Sequence, residues 1–145
     1  MNEAIKQAKM AFLIDEVPIG AVLVDNKTEK IINSSHNLVN FKKNATAHAE
    51  MNIINKVCQK EQKKLLKNTS LFITLEPCAM CAAAISEVQI QRIYFGAYDE
   101  KKGSLESIMK IYNKKNFFLP EIYGGIKEKE CSLILKEFFI TKRNK

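Results

Sequence analysis

The chain has 145 residues, 46% of them hydrophobic and 27% charged, which gives room for one domain with a real core and too little for two. That is close to ordinary globular usage, and no repeat or low-complexity linker interrupts it. The formal net charge of +7 favours polyanions as partners without naming one. No segment is apolar for long enough to span a bilayer, and Lys6, Lys9, Asp15 and Glu16 break the apolar positions that a signal peptide would need. A cytoplasmic location is therefore expected, where thiols stay reduced.

In chain order, Ala4, Ile5, Ala8, Ala11 and Phe12 recur at helical spacing and predict a helix from Met1 to about Asp15. Asp15-Glu16-Val17-Pro18 ends it, because proline disfavours helix in the residue before it. Ile19 to Asp25 and Lys30 to Ser34 read as strands of an antiparallel hairpin across Asp25-Asn26-Lys27. Ser35 to Asn44 reads as a loop. Thr46 is placed to cap a second helix running to about Lys60. After a basic connection, Leu71 to Leu75 reads as a buried strand. Pro77 suits the start of a helix continuing through Cys78 to about Val88. Arg92 to Ala97 is a strand, Gly103 marks a loop and Leu105 to Tyr112 reads as a helix. Leu119 to Ile126, with Pro120 and Gly124-Gly125, is an edge strand or irregular. Glu128 to Lys142 is a final helix, acidic at its start and basic at its end. The alternation predicts an α/β protein, a three-layer α/β/α sandwich on a mixed sheet, formed by residues 1–145 as one domain.

Chemistry concentrates in two short stretches. Cys78 and Cys81, separated by two residues, share one face of a helical turn and suit a tetrahedral zinc ion. No second pair is available, since Cys58 and Cys131 are isolated, and the chain has 2 histidines, His36 and His48. The most economical set is His48, Cys78 and Cys81 with the fourth position left to water, the arrangement of a catalytic zinc. Glu50 lies two residues beyond His48, close enough to reach that water without binding the metal. A redox role for the cysteine pair would need neither the histidine nor the glutamate. Glu76 is read as ordering the turn by hydrogen bonding, His36 as a loop residue near substrate, and Cys58 and Cys131 as core thiols.

The spacing His48-Ala49-Glu50 followed by Pro77-Cys78-Ala79-Met80-Cys81 is the known signature of zinc-dependent nucleobase deaminases. The sequence resembles the bacterial tRNA-specific adenosine deaminases over nearly its whole length. The resemblance is carried by Glu16-Val17-Pro18-Ile19-Gly20-Ala21-Val22, His36-Asn37-Leu38, Thr46-Ala47-His48-Ala49-Glu50, Thr74-Leu75-Glu76-Pro77-Cys78-Ala79-Met80-Cys81, Phe95-Gly96-Ala97 and Phe138-Phe139. It implies the five-stranded cytidine-deaminase-like fold and one zinc per chain, with Glu50 moving protons. It implies that Asn37 and the backbone around Ala49 hold a flipped base, the wobble adenosine of a tRNA anticodon stem-loop, which becomes inosine. It also implies a homodimer, and RNA contacts from Phe138, Phe139, Lys142 and Arg143. The chain departs from the family's residues at Asn44-Ala45, Ala83, Val88, Gln89 and Glu106-Ser107, near surfaces that in the family help make the dimer and position RNA. A free-base deaminase acting on guanine or cytosine shares the metal motif, as would an inactive zinc protein that binds RNA or a partner.

Overall fold

The computed structural model describes residues 1–145. Helix α1 (Asn2–Leu13) leads into strand β1 (Gly20–Asp25), which returns as β2 (Ile31–His36). Then follow α2 (Ala49–Glu61), β3 (Thr69–Leu75), α3 (Ala79–Glu87), β4 (Arg92–Ala97), β5 (Glu121–Tyr123) and α4 (Glu128–Arg143). The sheet order is β2-β1-β3-β4-β5. β1 runs antiparallel to β2 and β3, whereas β3, β4 and β5 are mutually parallel. The mixed five-stranded sheet expected from the sequence is thus formed.

Each strand sends alternate side chains to opposite faces. Leu23, Leu71, Ile73, Ile93 and Phe95 meet Ile53, Ile54 and Val57 of α2 and Ala82 and Ile85 of α3 in the larger core. On the other face α1 and α4 bring Ile5, Cys131 and Ile134 together in a smaller cluster, with Leu75 and Phe12 against it. Gly20 makes the α1 contact possible, because a Cβ there would stand 2.0 Å from the Ala4 carbonyl oxygen. No helix is long and apolar enough to cross a membrane.

Helix α1 stops one turn before the proline. Asp15 takes the left-handed conformation at φ 63°. Its N–H donates to the Phe12 carbonyl (3.1 Å) and that of Glu16 to the Ala11 carbonyl (3.0 Å). This is the Schellman way of closing a helix, achieved without glycine.

The structure corrects several local expectations. Leu105 to Tyr112 is not an α-helix; it is a series of turns ending in a 3-10 turn at Ile111–Asn113. The reason is Glu76, whose carboxylate accepts the N–H groups of Leu105 (3.2 Å), Glu106 (2.7 Å) and Ser107 (2.9 Å), drawing them away from helical acceptors. Thr46 does not cap α2. Its N–H and hydroxyl both donate to Asn44 Oδ1, at 2.9 and 2.8 Å, and His48 occupies the capping position. Pro77 lies before α3, which is preceded directly by Cys78. His36 ends β2 rather than standing in a loop. Residues 119–126 do contain an edge strand, β5, paired to β4 from Arg92 opposite Glu121 to Tyr94 opposite Tyr123.

Candidate metal centre and substrate cavity

The metal-binding side chains sit where two helices begin. His48 is extended (φ −68°, ψ 156°) just before α2, and Cys78 is likewise extended (φ −74°, ψ 173°) just before α3. Their carbonyls accept the first helical bonds, from Asn52 N–H at 2.9 Å and Ala82 N–H at 2.8 Å. Cys81 follows one turn into α3. Both positive helix ends therefore face the thiols, which favours thiolate and anionic ligands there. Asn52 secures the arrangement, donating through Nδ2 to the carbonyls of His36 (3.1 Å) and Ala47 (3.2 Å).

His48 Nδ1 lies 3.7 Å from Cys78 Sγ and 3.5 Å from Cys81 Sγ, and the three donor atoms all fall within 4.8 Å of one another. A tetrahedral zinc with ordinary nitrogen and sulfur bond lengths separates such donors by about 3.6 Å. The residues present fit that ion in number, type and spacing. None of the cysteines is in a disulfide. A hydrogen bond from Cys81, aided by His48, pulls the Cys78 thiol down to about 4. The Cys81 thiol is pushed upward by the hydrogen bond it shares with Cys78 and by burial.

Glu50, in the first turn of α2, is 4% exposed. Burial raises its carboxyl to about 7, against the downward pull of its own backbone N–H and of His48. It lines a cavity of about 750 Å³ with His48, Cys78, Asn37, Val39 and Glu16. Ala49, fully buried, contributes its backbone to the same helix turn. Asn37 is buried, and its Nδ2 donates to Glu16 Oε2 (3.1 Å).

Glu76 belongs to this site as a scaffold. It is 2% exposed and also accepts the N–H of Asp99 (3.1 Å) and the Ser107 hydroxyl. Gly103 packs so close that a Cβ would meet Glu76 Oε2 at 2.3 Å. These bonds hold residues 99–107 in place and set Tyr98, Asp99, Lys101 and Lys102 along the cavity wall.

The opposite wall comes from α4, through Ser132, Leu135, Lys136 and Phe139. A second, smaller groove continues outward over Lys101, Lys136, Phe139, Ile140 and Arg143. Of the four α4 residues expected to contact RNA, Phe139 and Arg143 line this track. Phe138 is buried, its ring edge-on to Phe12 at 5.5 Å. Lys142 reaches Asp15 Oδ2 at 2.5 Å on the α1 side. Sequence reasoning missed Lys101 and Lys136 and assigned Glu16 no role beyond its place in a family-like stretch, because what these residues do depends on which distant elements the fold sets beside them. His36 is turned toward α1, its Nδ1 3.0 Å from Gln7 Oε1.

A mixed sheet between two helical layers, with a histidine and two cysteines at two helix N-termini beside a buried glutamate, defines a zinc-dependent deaminase. The family model of the cytidine and deoxycytidylate deaminase zinc-binding region matches residues 1–97, and the chain belongs to that family. Among its relatives, the tRNA-specific adenosine deaminase of Rickettsia bellii is 46% identical over 140 residues, covering 96% of this chain and 97% of that one. The tRNA-specific adenosine deaminase of Bacillus subtilis is 40% identical over 146 residues, covering 100% of this chain and 89% of its own. A solved structure from work on A-to-I editing by tRNA:A34 deaminases superposes with a TM-score of 0.89 at 40% identity, covering 93% of this chain and 97% of that one. A guanine deaminase from Nitrosomonas europaea superposes with a TM-score of 0.80 at 16% identity, over 94% of this chain and 81% of its own, a likeness of fold alone.

Proposed function

We propose that the chain is a tRNA adenosine deaminase that hydrolyses the wobble adenosine of an anticodon stem-loop to inosine. The observation that carries this reading is the convergence of the His48, Cys78 and Cys81 donors at a cavity that His48 and Cys78 line together with buried Glu50 and Asn37. Relatives at 40 to 46% identity bearing that activity support it.

His48, Cys78 and Cys81 would hold a zinc ion, which would supply Lewis-acid activation of water. Glu50 takes a proton from the attacking water and delivers it to the purine ring nitrogen, then assists the departing amine. Water adds at the carbon bearing the amino group, the carbon–nitrogen bond breaks, and ammonia leaves, so that adenosine and water give inosine and ammonia. Asn37 and the backbone around Ala49 hold the flipped base. An anticodon loop offers an unpaired base, which keeps extrusion to roughly a few kcal/mol or less.

The RNA strand leaves the cavity along Lys101, Lys136 and Arg143, which meet phosphates, while exposed Phe139 offers a stacking surface. This track replaces Phe138, packed edge-on against Phe12, and Lys142, paired at the surface with Asp15. The chain acts as one domain, in the cytoplasm, as a homodimer. Ile108, Met109, Phe118 and Leu119 support a dimer face beside α3: they are exposed, and Ser86 of α3 donates to the Phe118 carbonyl at 2.9 Å.

Ammonia release tests the reading against free-base deamination. Purified zinc-loaded protein should release ammonia from a tRNA transcript with adenosine at the first anticodon position, and little or none from free adenine, adenosine, guanine or cytosine. Release from guanine alone would replace it with the free-base activity.

A further inference from the structure

Glu16 is 1% exposed, and no lysine, arginine or histidine forms an ion pair with it. A buried carboxylate without a cation is an expensive choice for a wall that an apolar side chain could fill. Both of its oxygens are used. Oε2 accepts Asn37 Nδ2 at 3.1 Å, and Oε1 accepts the Phe41 backbone N–H at 2.7 Å. The Schellman turn of α1 fixes where Glu16 starts, and Asn37 is fixed at its own backbone by donating to the Ile19 carbonyl (3.0 Å).

A carboxylate can only accept. It therefore dictates which way the Asn37 amide is flipped. One Nδ2 hydrogen goes to Glu16, and the other hydrogen and Oδ1 are left at fixed places in the cavity wall. The bond to Phe41 pins the segment between β2 and α2 that carries Val39 and Asn40 along the same wall. We propose that Glu16 is a positioning residue for the substrate base, setting the donor–acceptor polarity of Asn37 and the shape of the cavity mouth. The proposal rests on Asn37 contacting the base, as in the function given above.

Glu16→Gln separates this role from mere structure. The Phe41 N–H cannot turn round, so the new amide keeps its oxygen there and presents its NH2 to Asn37, which must flip. Zinc content and melting temperature should stay at parental values, while kcat/KM on the tRNA falls by about tenfold to a hundredfold, as small misplacements of a substrate-holding group do. In an Asn37→Ala background the same change should cost less than about twofold, because its effect passes through Asn37. A parental kcat/KM, an equal loss in both backgrounds, or loss of zinc together with activity would overturn the proposal.

An arm independent of catalysis uses the Asn37 side-chain NH2 signals in nitrogen-15 NMR, assigned by their disappearance in Asn37→Ala. They should exchange slowly in the parent and quickly in Glu16→Ala; indifference to that change would also overturn the proposal. If the parent makes no inosine, the deaminase reading falls while this arm still decides the Glu16–Asn37 coupling.

Discussion

Cys81 is fully buried and Cys78 half-buried, and the two thiols behave as one unit with His48. A cation bound among them draws both to thiolate, so these three residues should rise or fall together in zinc binding. Glu50 should not follow them. Glu50→Gln is expected to keep parental zinc by atomic absorption and to lower turnover by about 10²–10⁴-fold, the range of a lost acid–base group. Loss of metal in that variant would make Glu50 a ligand instead. His36 gives a pH test of stability. Burial holds its imidazole below the ordinary value, against a raising pull from Glu16. Between the folded value and the unfolded value of about 6.5 the unfolded chain binds more protons, so stability rises with pH there. His36 thus favours folding fully above about pH 6.5 and loses that contribution as pH falls through the window. Parent and His36→Gln, compared in urea melts from pH 5 to 7.5, should differ in slope; identical slopes would contradict it. At this scale His48, Glu50, Cys78 and Cys81 were readable because a metal ion imposes short spacings on the chain itself. Glu16 was not, since a charged residue before Val17-Pro18 looks like an ordinary exposed helix end.

The elements were legible where periodicity decided them. All five strands and four α-helices appear near their expected places, with β3 starting at Thr69 and β2 extending to His36. The failure at 105–112 shows where periodicity is overruled. Leu105 and Tyr112 are both buried, as a helical reading wants, yet Glu76 captures the backbone between them. No pattern local to that stretch could reveal a carboxylate some thirty residues upstream. Glu76→Ala would leave the buried Leu105 N–H and the partly buried bonds of Glu106, Ser107 and Asp99 without their acceptor, and a fully buried group left so costs about 1–3 kcal/mol. A loss of at least about 3 kcal/mol in urea unfolding is expected, with protease cutting appearing first in 99–107. A loss below about 1 kcal/mol would mean the loop holds itself. Helix α4 tells the same story, since two adjacent phenylalanines part company: Phe138 faces α1 and Phe139 faces the groove.

Across the whole molecule, net charge of +7 gains meaning from where the cations fall. Lys101, Lys136 and Arg143 lie along the track leading from the metal centre, whereas Lys142 is spent on Asp15. Phosphate contacts make binding salt-dependent, each adding about 0.7–0.9 to the logarithmic slope. Lys136→Ala with Arg143→Ala should raise KM for tRNA and flatten the salt dependence by up to about two such increments. Lys142→Ala should do neither. Equal effects from both variants would return the RNA to the face that the sequence suggested. Assembly is read by light scattering at micromolar concentration, where a dimer is expected and where Leu119→Asp should give monomer; a monomeric parent would remove the α3 face from the account. The most direct measurement is position-resolved sequencing for inosine after incubating the zinc-loaded protein with a tRNA bearing adenosine at the first anticodon position. Inosine should accumulate at that position alone and be absent with Glu50→Gln. Unchanged adenosine there, with ammonia released from guanine by the same preparation, would contradict a tRNA deaminase.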